Sequence, residues 1–300
     1  MVAITLTQLQ AFLAVLRTGS VTAAADELIV TQSSVSAAVA ALARELGAPL
    51  LERDGRGVRP TAAGAAFAPY ATDVLGLLEQ GRRAAAGAER TLRIAAVTTS
   101  AESFVPGLMH AFAVAQPDVE LTLAVGNRDE VLELLLTHAA DVAVSGRPPR
   151  DPRIEALPLR PNEHVLIAAP EDPLAGARVE PDALAGRTWL LREPGSGTRA
   201  VNEAFLAAHG LDARTLTVGS NGAIRQAARA GLGISFVSRD AVAAELEAGL
   251  LAAIDVAPGP APRAWHVLRS RVGPLRPVVA TFLEFLAQAT SAAATPSRPS

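Results

Sequence analysis

The 300-residue sequence predicts an α+β, multi-domain protein: a helical N-terminal module ending in a short wing, a long linker helix, and a two-lobed α/β C-terminal domain. Three observations carry this. Residues 5–59 hold three capped amphipathic helices and then a Gly/Arg-rich loop. Residues 61–88 keep one apolar stripe at alternating spacings of three and four. From residue 92 onward, strand-like and helix-like runs alternate. The length exceeds what one core of ordinary size supports, and with half the residues hydrophobic and 19% charged the chain suits packed globular domains.

Each N-terminal helix has a local cause. Thr5 followed by Gln8 is a capping-box signature, and Leu6, Leu9, Leu13 and Leu16 share a face. Gly19 supplies a stop, because a residue without Cβ enters the left-handed conformation cheaply. Ser20 caps a second helix whose Val21, Ala24, Ala25 and Leu28 point inward, the alanines letting helices approach closely. Thr31 caps a third, with Val35, Val39, Leu42 and Leu46 inward and Gln32, Ser33, Ser36, Ala37 and Ala40 outward. With the loop Leu51-Glu52-Arg53-Asp54-Gly55-Arg56-Gly57-Val58-Arg59, this describes a winged helix-turn-helix over 1–60, whose third helix enters a DNA major groove. Gln32, Ser33 and Ser36 suit base edges, with Ser20, Thr22 and Thr31 at the helix starts as further DNA contacts. The net charge of −3 argues against a general nucleic-acid binder, so placement matters more than amount. Arg53, Arg56 and Arg59 suit a solvated turn equally well, but behind this motif they read as phosphate contacts.

Residues 1 to about 70 resemble the DNA-binding module of LysR-type transcriptional regulators. The matching features, in order, are Gly19-Ser20, Ala24-Ala25, Leu28, Thr31-Gln32-Ser33, Ser36, Leu42, Glu45-Leu46-Gly47, Leu50-Leu51-Glu52-Arg53, Arg59 and Thr61-Ala62-Ala63-Gly64. Ala37 and Ala38 depart from it, standing where many members carry a long polar side chain. The resemblance implies a sequence-specific regulator of double-stranded DNA. It also implies an effector domain similar to periplasmic solute-binding proteins, the chain crossing between lobes twice.

Thr61 caps the linker helix, and Phe67, Tyr70, Val74, Leu77, Gly81, Ala84 and Ala88 form a helix-on-helix seam. With no neighbouring core in sequence, the seam predicts a homodimer or homotetramer, and in the resembled family this helix pairs antiparallel with its partner. Pro69 and three glycines weaken it. The βα alternation beyond predicts a mainly parallel sheet covered by helices, with lobe I at 91–162 and 267–290, lobe II at 163–266, and a disordered tail over 291–300.

Ligands of open α/β sheets bind beyond the carboxyl ends of strands, at helix N-termini. Val97-Thr98-Thr99-Ser100, Gly195-Ser196-Gly197-Thr198 and Gly219-Ser220-Asn221-Gly222 occupy such places. Any one alone reads as an ordinary N-cap. Three together, with Arg192 and Arg199 beside one, point to a small anionic effector held by Thr98, Thr99, Ser100, Ser196, Gly197, Thr198 and Asn221. The stretch from Arg192 to Arg199 is similar to that of family members regulating carbon dioxide fixation and sulfur assimilation.

Other classes find no motif. No Cys is present, which excludes disulfides, thiolate nucleophiles and the cysteine switch of one oxidant-sensing branch of the resembled family. The five His are scattered without metal-ligand spacing, and neither a phosphate loop nor a nucleophile elbow occurs. The chain therefore reads as a non-enzyme without metal or cofactor. No run approaches the roughly 18 apolar residues of a membrane span, and the N-terminus lacks a basic start, so a cytoplasmic protein without membrane contact is expected. The alternative is a cytoplasmic solute-binding receptor acting through protein partners rather than DNA.

Overall fold

Side-chain caps set the helix boundaries of the first part of the chain. The computed structural model describes residues 4–55, 57–87 and 90–294. It divides into two compact units, Met1–Ala88 with Leu136–His138 and Glu89–Leu135 with Ala139–Ser300.

In the first unit, α1 (Leu6–Thr18) opens on a reciprocal box: the Gln8 amide donates to Thr5 Oγ1 at 3.3 Å and the Thr5 amide to Gln8 Oε1 at 2.8 Å. Ser20 and Thr31 cap α2 (Val21–Leu28) and α3 (Gln32–Leu46) one way only, their side chains accepting from the Ala23 and Ser34 amides. Ile29 closes the intervening turn in the left-handed region at φ 56°, a costly place for a β-branched residue, with its side chain 91% exposed. The wing is the antiparallel hairpin β1 (Leu51–Asp54) and β2 (Gly57–Pro60). It is anchored by the Val58 amide donating to the Gly19 carbonyl at 3.0 Å.

The linker helix α4 (Ala62–Ala85) starts at a forced contact. Thr61 Oγ1 accepts from the Gly64 amide at 3.0 Å and donates to the Pro49 carbonyl at 2.6 Å. A Cβ at Gly64 would fall 2.0 Å from the Leu50 carbonyl oxygen, so only glycine fits. Two expectations need correction here. A core does adjoin this helix, since Ala63, Phe67, Ala68, Ala71 and Leu75 pack on Phe12, Leu42 and Leu50. Phe67 thus leaves the expected seam for the domain core, 6.0 Å from the Phe12 ring. The exposed apolar stripe begins at Tyr70 and continues through Val74 and Leu78, while Ala88 lies outside the described residues.

The second unit holds two lobes. In chain order its elements begin β3 (Thr91–Val97), α5 (Thr98–Ala101), α6 (Val105–Ala115), β4 (Glu120–Gly126), α7 (Arg128–Leu136), β5 (Val142–Ser145) and β6 (Ile154–Asn162). They continue with β7 (His164–Ala168), β8 (Arg178–Val179), β9 (Thr188–Leu191), α8 (Gly197–Ala208), β10 (Arg214–Thr217), α9 (Asn221–Arg229) and β11 (Ser235–Ser238). The last are α10 (Ala243–Glu247), β12 (Ala252–Val256), β13 (Arg263–Ser270) and α11 (Pro277–Ala294). Lobe I is one sheet in the order β4-β3-β5-β13-β6, and lobe II contains β11-β7-β12-β8 and the parallel pair β10-β9.

The sheets are mixed rather than mainly parallel. In lobe I only β4, β3 and β5 pair in parallel, and β13 is antiparallel to both its neighbours, β5 and β6. The return crossing falls earlier than expected, because Arg263, Ala264, Trp265 and His266 already pair with β6. Residues 291–294, expected in the disordered tail, extend α11 to Ala294, and 295–300 lie outside the described residues. Phe112 and Phe282 meet edge to face at 5.0 Å in the lobe I core, and Trp189, Phe205 and Phe236 cluster in lobe II.

Candidate DNA interface and effector cleft

On α3, burial of Val35 and Leu42 against the neighbouring helices turns Gln32, Ser33 and Ser36 to solvent. Thr31 spends its hydroxyl at the helix start, accepting from the Ser34 amide at 3.2 Å and lying 2.9 Å from Ser33 Oγ. Ser20 caps α2 through the Ala23 amide at 3.4 Å, and Thr22 is exposed two residues further on. Gln32 and Ser36 are therefore the polar side chains of this face not engaged in capping. On the wing, Arg53 is exposed without a carboxylate partner among the described residues, whereas Arg59 pairs across the hairpin with Glu52 at 2.8 Å. Arg56 lies outside the described residues.

In the second unit, a cleft of about 750 Å³ opens where the strands of both lobes end. Thr98, Thr99, Ser196, Gly197 and Thr198 line it, as expected from the sequence. Ser100 and Asn221 do not. Ser100 is fully buried and donates to the Val97 carbonyl at 3.0 Å. Asn221 is buried between lobes, donating to Thr99 Oγ1 at 2.7 Å and accepting from Arg192 Nη1 at 2.5 Å. It joins the lobes rather than holding a ligand, and Ser220 is an ordinary cap for the Ala223 amide at 3.1 Å. Ser196 differs: it stands at the start of α8 and is only 7% exposed, yet its side chain makes no capping bond. Gly195 before it sits at φ 85°, and a Cβ there would meet Asp129 Oδ2 at 3.0 Å.

The cations named from sequence are already spent. Arg192 grips Glu193 with two bonds of 2.7 and 2.8 Å, and Arg199 holds Glu203 at 2.7 Å and the Arg192 carbonyl at 3.0 Å. Burial opposes ionisation of Glu193, but the hydrogen bonds from Arg192 and the backbone, with the charges of Arg192 and Arg199, hold its carboxyl below the ordinary value.

Sequence reasoning missed Arg128, Arg147, Arg150 and Arg263, which line the cleft together with the acids Asp129 and Glu203. Arg147 and Arg263 have no carboxylate partner among the described residues, and the ion pair of Arg128 is a 3.5 Å contact with Asp129, whose side chain is 68% exposed. Burial and then repulsion from Arg147 and Arg128 push the Arg263 guanidinium below its usual range. Burial and then the Arg263 charge bring His164 from 6.5 to about 4, against a backbone hydrogen bond with Asn162, so its ring is neutral at physiological pH. Ser145 Oγ, Asn162 Oδ1 and Ser238 Oγ, all buried on the cleft lining, find no partner among the described residues. A signal for Arg128 and Arg147 existed, since both follow a strand end. Arg263 had none, because it begins an antiparallel strand. Among the described residues no cluster of acids and histidines could hold a metal, and no helix is long and apolar enough to cross a membrane.

A helix-turn-helix on one unit and a ligand-sized cleft on the other define the class: a DNA-binding regulator with an effector domain. The family model of the bacterial regulatory helix-turn-helix protein, lysR family, matches residues 6–65, and that of the LysR substrate binding domain matches 85–291. The chain belongs to the LysR family of transcriptional regulators. It is 38% identical over 295 residues to the HTH-type transcriptional regulator CfxR of Cupriavidus necator, covering 96% of this chain and 93% of that one. It is 35% identical to a RuBisCO operon transcriptional regulator of Acidithiobacillus ferrooxidans, covering 96% and 94%. Among solved structures, the CcmR regulatory domain of Synechocystis PCC6803 in complex with 2-PG superposes with a TM-score of 0.63 at 32% identity, covering 67% of this chain and 97% of that one.

Proposed function

We propose that this regulator reads a small anionic metabolite in the cleft and adjusts its grip on DNA accordingly. The observation that carries the reading is the surplus of arginines over acids in the cleft, with Arg263 half-buried among them and unspent hydroxyls beside it, an arrangement that an anion completes. Thr98, Thr99, Ser196, Gly197 and Thr198 are the effector contacts. Gln32, Ser33 and Ser36 read bases, Arg53, Arg56 and Arg59 hold phosphates, and Ser20, Thr22 and Thr31 position the helices. The chain is a non-enzymatic, cytoplasmic homo-oligomer, with Tyr70, Val74 and Leu78 of α4 as the seam between copies. The relatives named for RuBisCO operons and the neighbour holding 2-PG support genes of carbon fixation as targets and a phosphorylated acid as effector.

The test is fluorescence anisotropy of a RuBisCO-operon promoter fragment titrated with the protein, with and without 2-PG. Allosteric coupling of about 1–3 kcal/mol would change DNA affinity roughly 5- to 150-fold. Identical binding curves at saturating 2-PG, together with no thermal shift, would dismiss this effector class.

A further inference from the structure

We infer that Asp240 is a positioning residue for the effector cleft: its one carboxylate grips both strands that cross between the lobes, braces the hinge, and presets the cleft width with the protein's own groups. This rests on the cleft reading above and deepens it, because it fixes how the same site can respond.

A two-lobed domain swings by changing φ and ψ at a few residues where the chain crosses. Here Glu163 alone separates β6 from β7, and residues 257–262 separate β12 from β13. Just inside these crossings, Arg160 of β6 and Trp265 of β13 stand side by side in the strand register. Both belong to lobe I, and both donate to Asp240 of lobe II. Arg160 Nη2 reaches Oδ1 at 2.9 Å, and Trp265 Nε1 reaches Oδ2 at 2.9 Å. The preceding residue extends the grip. The Arg239 amide donates to the Glu163 carbonyl at 2.9 Å, and its guanidinium pairs with the Glu163 carboxylate at 3.3 Å.

The two bonds of Asp240 differ in weight. Its pair with Arg160 is partly exposed on both sides, and such pairs contribute little alone. Trp265 is only 3% exposed, and a buried indole N–H needs an acceptor. Arg160 in turn is held over the Phe104 ring at 4.9 Å, and Phe104 lies 5.6 Å from Trp265. The lobe I partners are thus fixed by their own packing. Rotation of lobe II about the crossings would break both bonds together and leave a buried indole without its acceptor.

The lobes stand close elsewhere too. Asn221 of lobe II lies 2.7 Å from Thr99 Oγ1 of lobe I, and a Cβ on Gly195 of lobe II would come within 3.0 Å of Asp129 Oδ2 of lobe I. Little distance is left to close, yet about 750 Å³ remains inside, within the roughly 300–1,000 Å³ of small-molecule sites. The braced angle is therefore already wide enough for an effector. The effector enters a preset cleft and acts through the charges and loops that line it, not by swinging the lobes together.

Acrylamide quenching of tryptophan fluorescence in the full chain tests the brace. The chain has two Trp, and Trp189 is fully buried in the lobe II core, so a change in quenching reports Trp265. Wild-type protein should be poorly quenched, and saturating 2-PG should leave that unchanged. Asp240→Ala should be quenched more strongly, and 2-PG should restore the shielding, a response that a merely structural residue would not give. Calorimetry should show its Kd for 2-PG raised about tenfold, as expected when only one molecule in ten holds the competent angle. Asp240→Asn, which keeps one acceptor, should fall between the two, and it decides the matter if circular dichroism shows Asp240→Ala unfolded. If wild-type protein is strongly quenched until 2-PG is added, the hinge swings and the brace is wrong. If Asp240→Ala matches the wild type in quenching and in Kd, Asp240 is a surface partner of Arg160 and nothing more. If 2-PG binds neither protein, the effector class proposed above fails, while quenching of the two proteins without 2-PG still decides the brace.

Discussion

The arginines of the wing and those of the cleft floor are assigned the same task, meeting an anion, under different conditions. Arg53 and Arg59 stand in water, where solvent and salt screen them and a carboxylate such as Glu52 can occupy one at little cost. In the cleft, whose lining also holds Asp129 and Glu203, Arg147 is exposed as well, but Arg263 is half-buried, partly desolvated and repelled by Arg147 and Arg128. The first arrangement gives graded, salt-sensitive binding along a long polyanion. The second stores electrostatic strain that a single small anion releases, which is how selectivity for charge is built.

The largest effect expected from breaking this contrast is in the cleft. Replacing Arg147 and Arg263 together by Gln should weaken 2-PG by more than about a hundredfold in calorimetry, less than the product of the single losses because the two are coupled. The ligand-free variant should melt about 2 °C higher, since like charges are removed. Arg53→Ala on the wing should leave the melting temperature where it was. A cleft variant that melts lower would show that these arginines hold the fold rather than strain it.

Titration sharpens the same contrast. Folded His164 stays neutral to about 4, whereas in the unfolded chain the ring gains a proton below 6.5. The unfolded state therefore binds more protons between those values, and stability falls as pH drops through the window. The loss is as much as about 3 kcal/mol, reduced by whatever water reaches the ring. Urea melts at pH 7.5 and pH 4.5 read it directly: His164→Gln should lose markedly less stability than the wild type between the two. Equal losses would mean that acid destabilises the chain elsewhere.

The two regions also differ in how far they could be read from sequence, for one physical reason. Helix starts in the first unit depend on side chains three residues away, so Thr5, Ser20, Thr31 and Thr61 announce their helices. The cleft is assembled across long sequence separations. β6 went unseen because Pro158 and Pro161 break its pattern, which the edge of a sheet tolerates. Ser196 and Ser220 look alike as helix starts, yet one hydroxyl is spent on a cap and the other is not. Partners of Arg192 and Arg199 were legible, since Glu193 is adjacent and Glu203 lies one helical turn on. The like-charged trio was not, because only the sheet order brings 128, 147 and 263 together.

On the DNA side the larger effect belongs to the base-reading face. Gln32→Ala removes the longest unengaged polar side chain of the exposed α3 start. It should cost about 1–3 kcal/mol on the preferred sequence and relax choice at one base position. Selection from a randomised operator would show this as one degenerate column. An unchanged preference would move base reading away from this turn.

The smallest effect tests whether a surface ion pair competes with DNA. Arg53 has no acid partner among the described residues, so Arg53→Ala should weaken binding equally across sequences and lower the salt slope by about one unit. Arg59 must first leave Glu52, an exposed pair worth at most about 1 kcal/mol, so Arg59→Ala should show a slightly smaller loss of affinity with a similar change in slope. The discriminating variant is Glu52→Gln, which frees Arg59 and removes a negative charge beside the phosphates. DNA affinity should then rise a few-fold at low salt, and the gain should fade as salt approaches the molar range, where the screening length is only about 3 Å. If Glu52→Gln instead weakens binding at every salt concentration, the pair holds the wing in shape. Arg59 would then serve the hairpin, leaving phosphate contact on the described strands to Arg53.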